Sequence, residues 1–166
     1  HFDFENKDTL AQLMRFNSSM CKSPDELLSL KEYIDRMKPD QKEVYYITAV
    51  NRETMEKSPY LEIFRKKDIE VLYLTDPNDE FLLSGLHEFE KKPIRSADQA
   101  NLDLLKDSDK KIVDTTEEPQ NYEESFKHLL KTIKVTLADR TIDVKESNRL
   151  VDSPCCLVNP DGVPSV

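Results

Sequence analysis

The chain has 166 residues, with 24 Lys plus Arg against 33 Asp plus Glu and a formal charge of -9, a balance that repels a nucleic-acid backbone unless a local basic patch overrides it. Only Lys66-Lys67 and Lys91-Lys92 approach such a patch. No apolar run nears the roughly 18 residues of a membrane span and no secretory signal is visible, while 37% hydrophobic with 34% charged residues predicts helices with one buried stripe and wide solvated faces.

Residues 1–7 carry no cap and no clear period. A first helix is predicted over Thr9–Phe16, with Leu10, Leu13 and Met14 inward. Residues 17–24 are turn chemistry. Ser29 and Glu32 then form a capping box, and Leu30, Tyr33, Ile34 and Met37 supply the apolar stripe of a helix that stops at Pro39. Glu43–Ala49, EVYYITA, has the β-branched and aromatic content of a strand.

The stretch Ser58–Phe89 reads as helix, buried strand, turn and helix in succession. Ser58 caps and Pro59 fits the first helical position, with Tyr60, Leu61 and Phe64 on one face. Ile69–Thr75 is an apolar run without alternation, the mark of a strand covered on both sides. About twenty mostly helical residues separate it from the strand at 43–49, which is the spacing of a parallel βαβ unit. Asp76 and Pro77 open a further helix in which Leu82, Leu83, Leu86 and Phe89 cluster within one face and Leu82, Leu86 and Phe89 set the inward direction, leaving Glu80 and Ser84 outward and Phe81 on the flank. A third strand fits Pro93–Ala97.

Residues 98–120 are dominated by charge and read as a solvated linker. Tyr122, Phe126, Leu129, Leu130, Ile133 and Leu137 recur at helical spacing, and 141–150 and 154–158 read as two strands. The expected fold class is α/β: a small three-stranded parallel α/β/α layer followed by a truncated α+β domain. Residues 1–40 form a helical segment, 41–97 the α/β subdomain, 98–120 the linker and 121–166 the start of the second domain.

Chemistry-bearing patterns are sparse. Gly85 and Gly162 are the only glycines, so neither phosphate-cradling loop nor dinucleotide fingerprint can be written. Cys21, Cys155 and Cys156, with His1, His87 and His128, offer no zinc spacing and no disulfide framework, which suggests a reducing compartment. Asp76, Asp79 and Glu80 follow a central strand, where open α/β sheets bind ligands, so an independent enzyme with an acidic or metal site at Asp76 and Asp79 is one reading. Helix capping is the other, and no second carboxylate cluster supports the first. His87 and His128 read as surface histidines, without a nucleophile or orienting acid nearby. Phe81 beside Glu80 has the character of a partner contact.

Four long stretches carry a resemblance: SLKEYIDRMKPDQKEVYYITA over 29–49, SPYLEIFRKKDIEVLYLTDPNDEF over 58–81, HEFEKKP over 87–93 and SNRLVDSPCCLV over 147–158. In this order they resemble the ninety-kilodalton heat-shock protein family of ATP-driven chaperones, nearly end to end. The resemblance implies the last part of the middle domain and the first part of the C-terminal domain of a homodimeric parent. The ATP and magnesium site and the catalytic arginine would lie before residue 1, and the dimerisation helices after Val166. It implies no catalytic, cofactor-binding or metal-binding residue in this stretch, and a fragment that is mainly monomeric and lacks ATPase activity. The implied partners are unfolded or partly folded clients and co-chaperones, with no nucleic acid and no membrane. The implied client-binding residues are Glu80, Phe81 and Ser84. The chain departs from many cytosolic and reticulum members, which follow the SPC motif with an aromatic-Gly-Trp sequence, whereas this one reads NPDGVPSV. That points to a bacterial-like or organellar branch, in cytoplasm, mitochondrion or plastid.

Overall fold

The computed structural model describes residues 7–100, 120–147 and 149–158. Contacts divide them into two units: 7–100 together with 149–158, and 120–147. The first is built from α1 (Lys7–Leu13), β1 (Asn17–Ser18), α2 (Leu30–Arg36), β2 (Val44–Thr48), α3 (Arg52–Glu56), a 3-10 turn (Pro59–Leu61), α4 (Glu62–Lys66), β3 (Leu72–Leu74), α5 (Pro77–Leu86), β4 (Glu88–Phe89) and β5 (Lys92–Ser96).

The sheet has five strands in the order β1-β3-β2-β5-β4, and it is mixed, which corrects the expected layer of three parallel strands. β2 runs parallel to β3 and to β5, with Tyr46 opposite Leu72 and Val44 opposite Ile94. β1 and β4 add antiparallel edges. The edges escape a sequence reading because a two-residue strand has no alternation to display. Asn17 and Ser18, expected as turn, pair with Tyr73 and Leu72. Phe89, expected on a helix, is a buried strand residue.

Strand alternation divides the core between the two faces of the sheet. Val44, Tyr46, Leu72, Leu74 and Ile94 join Leu30, Tyr33, Leu83 and Leu86 on one face. Tyr45, Ile47, Val71 and Tyr73 join Met55, Leu61 and Phe64 on the other. Both faces are covered by helices, as the unbroken apolar run at 69–75 requires. The Ser29 and Glu32 capping box is formed, each side chain bonded to the other's backbone N–H. α1 is rotated from its expected setting: Ala11 is buried and Met14 packs on the core, while Leu10 and Leu13 are exposed. Four apolar positions in five residues leave the inward face of so short a helix undetermined until it meets α2.

Glu90 and Lys91 join β4 to β5 with φ of 47° and 63°. A two-residue hairpin loop with both residues at positive φ is the type I′ geometry, which favours Asn-Gly. A side chain at left-handed φ costs roughly 1–2 kcal/mol, part of which a glycine returns by gaining freedom in the unfolded chain. Lys91→Gly is therefore expected to raise stability by about 0.5–1 kcal/mol, measured by urea unfolding, whereas Lys91→Ala should give no such gain.

The second unit contains α6 (Gln120–Thr136), whose end is tied to the following turn by Lys134 Nζ donating to Asp143 Oδ1 at 2.7 Å. That bond leads the causes that hold the Asp143 carboxyl below its ordinary range. The strands expected over 141–150 and 154–158 do not form among the described residues. Ile142, Val151, Leu157 and Val158 are exposed there, so the β-branched content finds no sheet to join. The charged stretch 101–119 lies outside the described residues.

Candidate functional site

β3 delivers the chain from the middle of the sheet into the turn that opens α5. Asp76 is extended at φ -100° and its carboxylate accepts from the backbone N–H and the side-chain amide of Asn78, both at 2.8 Å. Asp76 thus serves as the N-cap, and Asp79 and Glu80 place negative charge in the first turn, where the helix dipole favours it. Burial, with the neighbouring Asp76 charge second, pushes the Asp79 carboxyl up. Among the described residues no group of three or more His, Cys, Asp or Glu could hold a metal ion.

The inward face of α5 is Leu83, 0% exposed, with Leu86 at 4%. Leu82, expected inward, is 42% exposed beside Phe81 at 65%. The helix is turned by about one position from the expected setting, because α5 packs on β3 and β5 and Leu83 enters the core cluster they share, where it is covered completely. Phe81 therefore stands with Leu82 as an adjacent exposed apolar pair. Glu80 is half-buried, and its charge, with that of Asp98, helps raise the Tyr46 hydroxyl after burial. Ser84 belongs to the same helix, its side chain outside the described residues. His87 ends the helix at φ 59° and is exposed, and His128 on α6 is exposed too. Reading Leu82 as core concealed the larger apolar surface.

A second constellation was not foreseen at all. Glu62, in the first turn of α4, is largely buried, and its Oε2 accepts from the backbone N–H groups of Val151 and Asp152 at 2.6 and 2.9 Å. The Ser153 N–H reaches Oε1 at 3.1 Å, and the Ser153 hydroxyl donates to the same oxygen. Arg149 donates to the carbonyls of Ala97 at 2.6 Å and Ala100 at 3.1 Å. The Tyr60 hydroxyl donates to the Leu157 carbonyl. No local sequence pattern announces a carboxylate whose partners are about ninety positions away.

The Ser153 hydroxyl, with the backbone donors of Val151 and Asp152, brings Glu62 from its ordinary 4.5 down to about 2. A depressed carboxylate contributes above its unfolded value and loses that contribution as pH falls through the folded one. The clasp should thus be intact above about pH 4.5 and weaken progressively towards pH 2. An NMR titration of the Glu62 carboxyl carbon is expected to give a midpoint near 2, with the Val151, Asp152 and Ser153 amides moving in step. A midpoint near 4.5 would show that the clasp does not form in solution.

A family model described as Hsp90 protein matches residues 1–163. The chain belongs to the Hsp90 family. It is 44% identical over 162 residues to the chaperone protein HtpG of Paraburkholderia xenovorans (strain LB400), covering 96% of this chain and 25% of that protein. It is 43% identical over 161 residues to HtpG of Geobacter sulfurreducens, covering 95% and 24%, and 46% identical over 162 residues to HtpG of Methylibium petroleiphilum, covering 96% and 25%. The chain spans about a quarter of the length of the curated relatives it matches. This Hsp90-family stretch therefore combines a covered α/β sheet, an apolar pair on the outer flank of α5, and a polar clasp at Glu62. No helix among the described residues is long and apolar enough to cross a membrane.

Proposed function

We propose that this chain is the stretch joining the middle and C-terminal domains of an ATP-dependent chaperone, and that it takes non-native client polypeptides on the α5 flank at Glu80, Phe81 and Ser84. The observation that carries the reading is the exposed pair Phe81 and Leu82, set on a helix whose opposite face is fixed in the core. An apolar pair rimmed by carboxylates can hold exposed hydrophobic side chains of an unfolded chain and keep its own surface hydrated when empty. A rigid support matters because an anchor already ordered loses little entropy on binding.

In this reading residues 1–40 and 41–97 belong to the middle domain, 98–120 to a linker and 121 onward to the C-terminal domain, in a parent that pairs as a homodimer. The segment then transmits conformational change between the ATPase and dimerisation modules, with co-chaperones among its partners, in a reducing compartment of the bacterial cytoplasm or an organelle. ATP and magnesium are assigned to the parent's other domains, and this stretch to no catalysis. In support, the one glycine among the described residues, Gly85, lies inside α5 and opens no loop at a helix start.

The reading is tested by adding an unlabelled, permanently unfolded, apolar-rich polypeptide to isotope-labelled protein and following amide shifts by NMR. Shifts concentrated at residues 78–86 are the expected result. Saturable binding that leaves α5 unmoved would remove the site.

A further inference from the structure

Residues 149–158 are grouped with the α/β unit, yet none of them joins either apolar cluster. Val151, Leu157 and Val158 keep 44%, 74% and 53% of their surface exposed. What holds the segment is polar: the Glu62 carboxylate on three successive N–H groups, the Arg149 guanidinium on two carbonyls, and the Tyr60 hydroxyl on the Leu157 carbonyl. Successive backbone N–H groups form an anion-binding nest, and here the chain supplies the anion itself. Water can satisfy the same donors and carbonyls once the segment leaves, so releasing them carries only the modest net cost of exchanged hydrogen bonds, and of the segment's apolar side chains Leu150 and Cys156 alone are half-buried. Its two sides differ in rigidity. Glu62 is anchored between Leu61 and Phe64, each 1% exposed, whereas its partners sit on a segment without helix or strand.

We propose that Glu62 is the catch of an internal latch, and that residues 149–158 form a strap that detaches while the five-stranded sheet stays folded. Of the described residues, the α/β unit holds 7–100 and then 149–158, so the latch governs whether the later segment is held. Detachment belongs to the low-stability end of local openings, separate from global unfolding. The proposal does not rest on the client-binding reading and survives its failure.

Three thiols report on it within one molecule. Cys21 is buried in the core, Cys155 is exposed, and Cys156 is half-buried on the strap, its thiol pushed up by burial. Alkylation at pH 8 of the full 166-residue chain, read site by site by mass spectrometry, is compared among wild type, Glu62→Gln and Ser153→Ala. In Glu62→Gln, Cys156 is expected to label at least about tenfold faster, approaching Cys155, while Cys21 stays at its wild-type rate; a charged acceptor with several donors supports a factor of that size. The Glu62 charge also helps raise the Cys156 thiol, so Ser153→Ala, which keeps that charge, separates release of the strap from the change of charge; it should move Cys156 in the same direction by a smaller factor. Unchanged Cys156 in both variants would overturn the latch, and so would Cys156 and Cys21 accelerating by the same factor, since the strap would then open only with the whole unit. Should Glu62→Gln fail to fold, Ser153→Ala decides by the same criterion.

Discussion

Tyr33→Phe is expected to destabilise the α/β unit by about 2–4 kcal/mol, although it removes a single oxygen, because that oxygen joins three elements at once. The hydroxyl donates to the Glu70 carbonyl at 2.6 Å and accepts from the Gln41 amide at 3.1 Å and the Tyr45 backbone N–H at 3.2 Å. Tyr33 is 1% exposed, and burial pushes its hydroxyl well above the ordinary range, so it remains neutral and able to donate. Without the oxygen, the Glu70 carbonyl and the Tyr45 N–H lose a partner where water has little access. Each such loss costs roughly 1–3 kcal/mol. At this size the melting temperature should fall by about 10 °C. A loss under about 1 kcal/mol by urea unfolding would mean that water enters and replaces the hydroxyl.

The second large effect separates the two faces of α5. Leu83→Ala is expected to cost about 2–5 kcal/mol, as truncation of a fully buried leucine does, whereas Phe81→Ala should stay within roughly 0.5 kcal/mol. The two positions are two residues apart and differ from complete burial to 65% exposure. Thermal and urea unfolding of both variants check the rotation of the helix directly. A large loss from Phe81→Ala with a small one from Leu83→Ala would place the aromatic ring in the core and contradict the 65% exposure of Phe81 and the burial of Leu83.

That rotation marks where the sequence stops being informative. Ser29 with Glu32, Pro39 and the runs at 43–49 and 69–75 are local signals, and the structure follows them because capping and β propensity act within a few residues. Phe81, Leu82, Leu83 and Leu86 crowd so much apolar surface into six positions that more than one face could turn inward; packing against β3 and β5 decides, and that is a tertiary contact no helical period encodes. The same cause misplaced Leu10 and Leu13. The strands expected at 141–150 and 154–158 do not form among the described residues, because local propensity without a neighbouring edge forms no ladder. Glu62 was legible only as a helical residue, since its donors arrive from Val151, Asp152 and Ser153. The candidate site was half legible: Phe81 was recognised as a flanking aromatic, while its companion Leu82 was assigned to the core.

The central claim, that the α5 flank holds client chains, is tested most directly by the affinity of a fluorescently labelled, permanently unfolded polypeptide for wild type and Phe81→Ala, with melting recorded on the same samples. The dissociation constant of Phe81→Ala is expected to rise about tenfold, the loss of roughly 1.4 kcal/mol expected of an aromatic anchor, at an unchanged melting temperature. An affinity that stays within about twofold of wild type in a variant that melts normally would contradict it.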